Sequence, residues 1–301
     1  MISVAASAIL GPLAAAALVL LLGRGAAALA LLGSAVGLSG AFFALARAAA
    51  DGARLEATLP GLPELPLRLL VEPLTATLSA TVAVVSALVM IYAVGYMSEE
   101  EGGKARFYAG MSFFAAAMQT LVLAGDWVLL LASWELIGLS SYLLIGFWFW
   151  RAGIPPAATR AFLYTRTADL GLYVAIFILI AQAGTSEIPR TLEIGGPAAT
   201  IAGLLLLVAA AGKSAQTPLQ GWLQDAMVGP TPVSALLHSA TLVAAGAILM
   251  IRTAPLLPPG VLLIVGLLGG LTAIATGLMA LALGDLKRLL AASTSSQYGF
   301  M

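Results

Sequence analysis

The chain has 301 residues, of which 61% are apolar and 9% are charged, with 14 basic residues, 14 acidic residues, one histidine and no cysteine. A soluble domain carries about 25% charged residues, so this composition excludes an ordinary globular protein and indicates a membrane protein. Zero net charge and the lack of basic runs argue against nucleic acid as a partner. Without cysteine, the chain holds no disulfide, thiol nucleophile or cysteine-bound iron–sulfur cluster. Any associated electron transfer is therefore expected in another chain.

Apolar runs separated by short polar or Pro/Gly-rich breaks predict an all-α polytopic transmembrane helix bundle of nine or ten spans. Between the second and third helices, residues 51–73 contain four prolines and alternating leucines, which predict an extended loop or hairpin outside the cytoplasm. The predicted helices run near 2–22, 26–50, 70–95, 106–124, 127–150, 159–183, 198–226, 231–252 and 261–284, and a tenth begins at Asp285.

Loop charges predict how the chain is oriented in the membrane. No Lys or Arg precedes the first apolar stretch and Arg24 follows it, which favours an uncleaved first span over a signal peptide. The loops after odd-numbered helices carry more basic residues than the other loops. Because the richer side faces the cytoplasm, we expect a multi-pass protein of the cell inner (plasma) membrane with an extracytoplasmic amino terminus.

The seventh predicted helix is interrupted by polar residues and a proline. A proline in a span removes one backbone hydrogen bond, and in lipid the freed carbonyl needs a polar neighbour or a water-lined cavity. We therefore predict a broken helix. The interrupting residues are Gln216, Thr217, Pro218, Gln220, Gly221, Gln224 and Asp225, and Gly229, Pro230 and Pro232 open the next helix.

Five ionisable residues lie within predicted spans or close to their ends: Glu135, Arg166, Asp169, Lys213 and His238. An uncompensated charge at a helix centre costs roughly 2.5 to 3.5 kcal/mol, so these groups should face protein or water and pair with one another. Counting residues places Glu135 about 13 Å and Lys213 about 20 Å from the outer face, with His238 level with Lys213. The same count places Arg166 and Asp169 nearer the cytoplasmic face.

An acid, a base and a histidine at one depth beside a broken helix form the layout of a proton relay. While Glu135 is ionised, Lys213 holds its proton; when Glu135 is neutralised or moves away, the ammonium loses its partner and can release the proton. At ~4 Å and an effective dielectric constant near 20, that attraction is about 4 kcal/mol. Two structural alternatives stay open: a static Glu135–Lys213 ion pair, and a His238 that only bonds a neighbouring helix.

Three stretches of the sequence resemble a known family, the antiporter-like subunits of respiratory complex I. Residues 212–238 read GKSAQTPLQGWLQDAMVGPTPVSALLH and match the family's broken-helix motif. Residues 134–148, WELIGLSSYLLIGFW, are most similar to subunit L. Residues 285–301, from Asp285 to Met301, match the start of the family's tenth helix.

The resemblance implies a proton channel made of two inverted five-helix repeats, each with a broken helix and a central charged residue. It divides the chain into a three-helix region at 1–105, a first repeat at 106–252, and at 253–301 the start of a second repeat that is truncated relative to the family. By position, the resemblance gives an acid–lysine pair, a relay histidine and a polar pair on the sixth helix. These are, in that order, Glu135 with Lys213, His238, and Arg166 with Asp169.

The chain departs from the family pattern at two positions beside the break. Gln224 stands where the family has proline, and Gln220 stands where many members have histidine. The second change removes a titratable group.

These features favour a proton-translocating subunit of a complex I-like NADH:quinone oxidoreductase, a translocase with no cofactor of its own. NAD(H), FMN, iron–sulfur clusters and quinone are expected in partner subunits, and the other membrane subunits and the bilayer are the expected partners. One alternative is a subunit of a multi-subunit Na+/H+ antiporter, a membrane-bound hydrogenase or a bicarbonate-uptake complex. A second alternative is a structural membrane subunit that does not conduct.

Overall fold

The computed structural model describes residues 2–51, 55–59, 67–238 and 241–301. These residues form a helical protein with one two-stranded hairpin. The helices are α1 (Ile2–Ala5), α2 (Ser7–Leu22), α3 (Ala26–Asp51), α4 (Pro73–Tyr96), α5 (Lys104–Leu123), α6 (Trp127–Ile145), α7 (Ile154–Ala183), α8 (Ile188–Thr191), α9 (Gly196–Lys213), α10 (Gly221–Asp225), α11 (Thr231–His238), α12 (Ala244–Thr253), α13 (Pro259–Ala282) and α14 (Leu286–Phe300). Strands β1 (Leu55–Leu59) and β2 (Leu67–Val71) form the hairpin, and 3₁₀ turns follow α10 and α12.

Six helices in the described part of the chain are long and apolar enough to cross a membrane: α3, α4, α6, α7, α9 and α13. Helix α2 and the segment Ala244–Leu256 are apolar but shorter. Leucine, isoleucine and phenylalanine side chains on these helices are exposed, most of all along α13, as expected of surfaces that face lipid. The all-α polytopic fold that the composition predicts is confirmed.

The chain divides into two compact units. The first comprises residues 1–147 and 231–236, and the second comprises residues 148–230 and 237–301. These units follow from internal packing, whereas the boundaries predicted at residues 105 and 252 divide the chain by its five-helix repeat. The predicted domain boundaries therefore stay a prediction.

Helices of the first unit approach one another through small residues and buried polar contacts. A Cβ atom added at Gly33 of α3 would lie 2.3 Å from the Cβ of Ala15 on α2, so only glycine permits this spacing. Between α4 and α5, Ser79 Oγ donates a hydrogen bond to Gln119 Oε1 at 2.6 Å, and Gln119 Nε2 donates to the Ser79 carbonyl. Both side chains are buried, so their polar groups satisfy each other away from water.

The hairpin is joined to the start of α6. Strands β1 and β2 pair antiparallel, with Leu55 opposite Val71. The Arg68 carbonyl accepts from the Gly125 N–H at 2.7 Å, and the Arg68 N–H donates to Asp126 Oδ2 at 2.5 Å. Asp126 also caps α6, because its Oδ1 accepts from the backbone N–H two residues after Trp127. This carboxylate therefore connects strand and helix.

The second unit is built from α7, α8, α9, α10, α12, α13 and α14. Helix α7 packs on α9 at short range: a Cβ atom at Gly171 would lie 2.6 Å from the carbonyl oxygen of Leu205. Helices α13 and α14 meet in the same way, since a Cβ atom at Gly269 would lie 2.4 Å from the Gly299 carbonyl oxygen. Small residues therefore bring α7 close to α9, and α13 close to α14.

Candidate functional site

A buried ion pair joins α7 and α9 in the second unit. Lys213 Nζ lies 3.3 Å from Asp169 Oδ2 and donates a hydrogen bond to it. The two side chains are only 1% and 2% exposed. Two opposite charges so far from solvent are retained only when they compensate each other, because either charge alone is costly in a medium of low polarity.

Small residues beside the two charges make this pairing possible. A Cβ atom at Gly212 would lie 2.2 Å from the Cβ of Ala168, so the helices touch at the residues next to Lys213 and Asp169. The buried positions of α7 recur every three or four residues and include Asp169, which directs the carboxylate toward the packed face. The ion pair is therefore a result of close helix packing.

Helix α9 ends at Lys213, and the chain after it leaves the helical path. Ala215 has φ of 50°, in the left-handed region that residues with a side chain rarely adopt. The Gly212 carbonyl accepts a hydrogen bond from the Trp222 indole N–H at 2.8 Å and a longer one from the Ala215 N–H at 3.4 Å. Ser214 Oγ donates to the Val243 carbonyl at 2.7 Å. The predicted break of the seventh helix is therefore present, directly after the lysine.

One expectation about depth is wrong. The residue count puts Asp169 nearer the cytoplasmic face than Lys213, but the two side chains are in contact. The error arises because α7 begins at Ile154, five residues before the predicted start, and runs for 30 residues. Asp169 consequently lies at the middle of a long helix, level with the end of α9.

The other predicted site residues have different surroundings. Arg166 is half-buried. Its Nη1 donates to the Tyr173 hydroxyl at 2.6 Å, and its guanidinium lies over the ring of Phe162, 5.1 Å from the centroid. Glu135 is half-buried on α6 of the first unit. Its pairing with Lys213 stays a prediction.

His238 ends α11 and is buried. Within the described part of the chain, neither of its ring nitrogens has a hydrogen-bond partner. The Lys287 ammonium acts on the imidazole electrostatically, and it donates to the carbonyls of Gly229 at 2.9 Å and Met227 at 3.4 Å. A buried imidazole with both nitrogens open can accept or donate a proton, as a relay requires.

Several polar residues at the break were not predicted as site residues. Trp222 supports the broken end of α9, and Gln216 Nε2 donates to the carbonyls of Ser214 and Ser295. The sequence does carry one sign that another helix packs closely against α9 at this point: Gly212 stands next to Lys213, and a glycine beside a buried charge indicates close contact with a neighbouring helix. Among the described residues, no three His, Asp or Glu side chains are grouped as a metal site.

Comparison with known proteins assigns these features to a family. The model described as NADH:quinone oxidoreductase/Mrp antiporter, TM matches residues 124–301. The model described as NADH-Ubiquinone oxidoreductase (complex I), chain 5 N-terminus matches residues 61–108.

Relatives with these features belong to multi-subunit membrane complexes. NADH-quinone oxidoreductase subunit L of Mycobacterium tuberculosis is 42% identical over 218 residues, which cover 70% of this chain and 34% of that protein. The Escherichia coli protein of the same name is 41% identical over 242 residues, covering 77% and 39%. A chain in the structure of the Mrp complex from Dietzia sp. superimposes with a TM-score of 0.87 and 34% identity, covering 97% of this chain and 33% of that one.

The sequence given thus spans about a third to two-fifths of the length of these relatives. The family match itself extends over more than half of the chain, through Lys213, the break and α14. The chain belongs to the NADH:quinone oxidoreductase/Mrp antiporter family of transmembrane subunits.

Proposed function

We propose that this chain is a proton-translocating membrane subunit of a complex I-like NADH:quinone oxidoreductase. The observation that carries the proposal is the buried Lys213–Asp169 ion pair at the broken end of α9. Asp169 and Lys213 are the central groups, with Glu135, Arg166 and His238 as further members of the relay. The subunit is proposed to lie in the plasma membrane beside other membrane subunits, with NAD(H), FMN, iron–sulfur clusters and quinone bound in partner subunits.

The proposed step is the release of a proton from Lys213 when its carboxylate partner is neutralised. While Asp169 is ionised, the ammonium is compensated across 3.3 Å. When a proton reaches Asp169, or the helices separate, Lys213 is left as an uncompensated buried cation, which is strongly unfavourable. It then gives its proton to a neighbouring acceptor, and the unpartnered ring nitrogens of His238 make that residue the candidate acceptor.

A second candidate function is the large subunit of a multi-subunit Na+/H+ antiporter. The observation that favours it is the likeness to a chain of the Mrp complex, at 34% identity. Both functions use the same buried lysine, but they differ in what drives the proton. Redox turnover drives it in the first, whereas a sodium gradient drives it in the second.

The proposal is tested on the complex that contains the chain, purified and reconstituted into liposomes, with proton uptake followed by a pH-sensitive dye. Lys213→Met and Asp169→Asn should each reduce NADH-driven proton uptake strongly. Arg190→Gln is the matched control, since it removes a basic residue that is exposed and paired only across one helical turn with Glu187. This control should pump at the parental rate.

Three results decide between the candidates. Pumping that survives in both Lys213→Met and Asp169→Asn overturns the proposed function and leaves a non-conducting structural subunit. Proton movement that requires a sodium gradient and no NADH favours the antiporter. Proton movement that follows NADH oxidation and is indifferent to sodium favours the redox-driven subunit.

A further inference from the structure

A small buried cavity lies where α2, α3, α4 and α5 of the first unit meet. Its volume is about 10 Å³, close to the space that one water molecule requires. Because the residues around it are buried, their polar groups must find partners inside the protein. The lining includes Ala8 and Pro12 of α2, Ser34 and Gly37 of α3, Ser86 of α4 and Gln119 of α5.

The first polar group at the cavity comes from a proline inside α2. Pro12 has no N–H, so it cannot donate the hydrogen bond that the Ala8 carbonyl would receive in a regular helix. That carbonyl is turned toward α3, because its oxygen would lie 3.3 Å from a Cβ atom added at Gly37. Ala8 and Gly37 both border the cavity. A carbonyl that lacks its regular helical donor therefore lies beside the cavity.

The second polar group is a hydroxyl on α4. Ser86 is only 7% exposed and, within the described part of the chain, its Oγ has no hydrogen-bond partner. A serine in a helix can bond the carbonyl one turn earlier, as Ser133 does in α6, but Ser86 does not. Buried hydroxyls in native proteins are almost always bonded to protein or to ordered water. Ser86 borders the cavity, so its hydroxyl requires a ligand there.

The third polar group is the side-chain amide of Gln119 on α5. Its Nε2 donates one hydrogen to the Ser79 carbonyl at 2.9 Å, and its Oε1 accepts from Ser79 Oγ. An amide nitrogen carries two hydrogens, so one N–H remains for a further acceptor. Three helices therefore bring an acceptor, a hydroxyl and a donor to one small space. Water can satisfy all three, because it both donates and accepts.

From these groups we propose that the cavity binds one water molecule, which joins α2, α4 and α5 in place of the backbone hydrogen bond that Pro12 removes. The water donates to the Ala8 carbonyl and to Ser86 Oγ, and it accepts from the Gln119 amide. Three hydrogen bonds are the usual number for a buried water. The site involves none of the groups of the proposed relay, so it goes beyond the proposed function and does not depend on it.

A metal cation is a less suitable ligand for this cavity. The described residues that line it carry no charge, and a desolvated cation without an anion is costly. The remaining Gln119 hydrogen would also repel a cation, whereas a water oxygen accepts it. An empty cavity would leave the Ala8 carbonyl and the Ser86 hydroxyl unsatisfied.

The sign of a stability change tests whether the cavity is occupied. In an empty cavity, Ser86→Ala removes an unsatisfied hydroxyl, so the thermal unfolding midpoint of the detergent-solubilised protein would stay or rise. With the water bound, the same variant removes a hydrogen bond, and we expect the midpoint to fall by about 2 °C. Ser39→Ala is the matched control, because Ser39 is exposed on α3 and its hydroxyl bonds its own helix. A Ser86→Ala midpoint at or above the parental value overturns the proposal.

Coupling between two helices tests the bridge. Pro12→Ala supplies an N–H for the Ala8 carbonyl, so the water loses one partner and is held less firmly. Ser86→Ala should then lower the midpoint by about half as much in the Pro12→Ala background as in the parent, since residues that share a ligand are not additive. The loss of the proline ring acts equally in both backgrounds and cancels. Equal shifts would show that the two residues share no ligand and would overturn the bridge.

A map of the complex at a resolution that shows ordered waters identifies the occupant. We expect one density peak at about 2.6 to 3.2 Å from both the Ala8 carbonyl oxygen and Ser86 Oγ. An empty cavity in a map that shows waters elsewhere overturns the site, and so does a peak at about 2.4 Å from several oxygens, which indicates a metal. None of these measurements uses proton uptake, so failure of the water site and failure of Lys213-dependent pumping are separate results.

Discussion

The Trp222 indole N–H donates a hydrogen bond to the Gly212 carbonyl, across the break that separates α9 from α10. Besides the indole, this carbonyl has only a long backbone hydrogen bond from the Ala215 N–H at 3.4 Å, in a region where lipid and packed protein exclude water. Trp222 is buried, so the bond has no competition from solvent. The indole therefore stabilises the end of α9 at the residue next to Lys213.

Trp222→Phe should lower the stability of the protein while keeping most of its packing. Removing the shorter of the hydrogen bonds to the Gly212 carbonyl costs about 0.5 to 1.5 kcal/mol. The measurement is the thermal unfolding midpoint of the detergent-solubilised protein. Trp150→Phe is the control, because Trp150 is 55% exposed, and an equal shift in the two variants would contradict the role of the indole bond.

Gly212→Ala should separate α7 from α9. The added Cβ atom would lie 2.2 Å from the Cβ of Ala168, a distance that packed atoms do not adopt, so the helices must move apart. The Lys213–Asp169 distance then grows and proton uptake should fall sharply in the reconstituted complex. Adding Ala168→Gly removes the opposing methyl and should restore uptake; a double variant as inactive as the single one would show that the contact with Ala168 is not the cause.

Much of the fold could be predicted from the sequence because lipid imposes a simple rule. Long apolar runs must become helices, so the spans near α3, α4 and α13 follow from composition within a few residues. The break after Lys213 was also predictable, since Pro218 and its polar neighbours cannot continue a lipid-facing helix.

The partner of Lys213 could not be predicted in the same way. Depth was counted from estimated helix ends, and an error of five residues at the start of α7 moves a side chain by about 7 Å. Contact also depends on which helix faces meet, and that is decided by the packing of Gly212 against Ala168. Residue spacing within one helix carries no information on this long-range contact.

The stability of the first unit should depend on pH through Asp126. Burial raises the pKa of this carboxyl above its ordinary value of 3.8, against the opposing effects of its hydrogen bonds and of Arg68. The folded protein therefore binds a proton more tightly than the unfolded chain, so this contribution is largest at low pH and is lost as pH rises through the raised pKa. Unfolding midpoints measured upward from pH 4 should fall more in the parent than in Asp126→Asn. Parallel curves would contradict the assignment.

Arg160→Gln should change stability very little. Its guanidinium lies 3.0 Å from the Asp225 carboxylate, but the two side chains are 58% and 34% exposed, and solvent screens such pairs. Exposed ion pairs contribute about 0 to 1 kcal/mol. The unfolding midpoint of the variant should stay close to the parental value, in contrast to that of Lys213→Met, which leaves a buried carboxylate without its cation. A large loss of stability in Arg160→Gln would mean that the pair is shielded from water in the complex.

Lys287→Met should loosen the turn that follows α10. The ammonium donates to the carbonyls of Gly229 and Met227, so the variant removes the donor from two backbone oxygens and also removes the positive charge that acts on His238. We expect a loss of about 1 to 3 kcal/mol in stability, together with slower proton uptake. Lys287→Arg keeps the charge and the donors and should recover most of both quantities. Recovery of the stability without recovery of the uptake would assign the lysine to the turn alone, and the electrostatic effect on His238 would then have no part in transport.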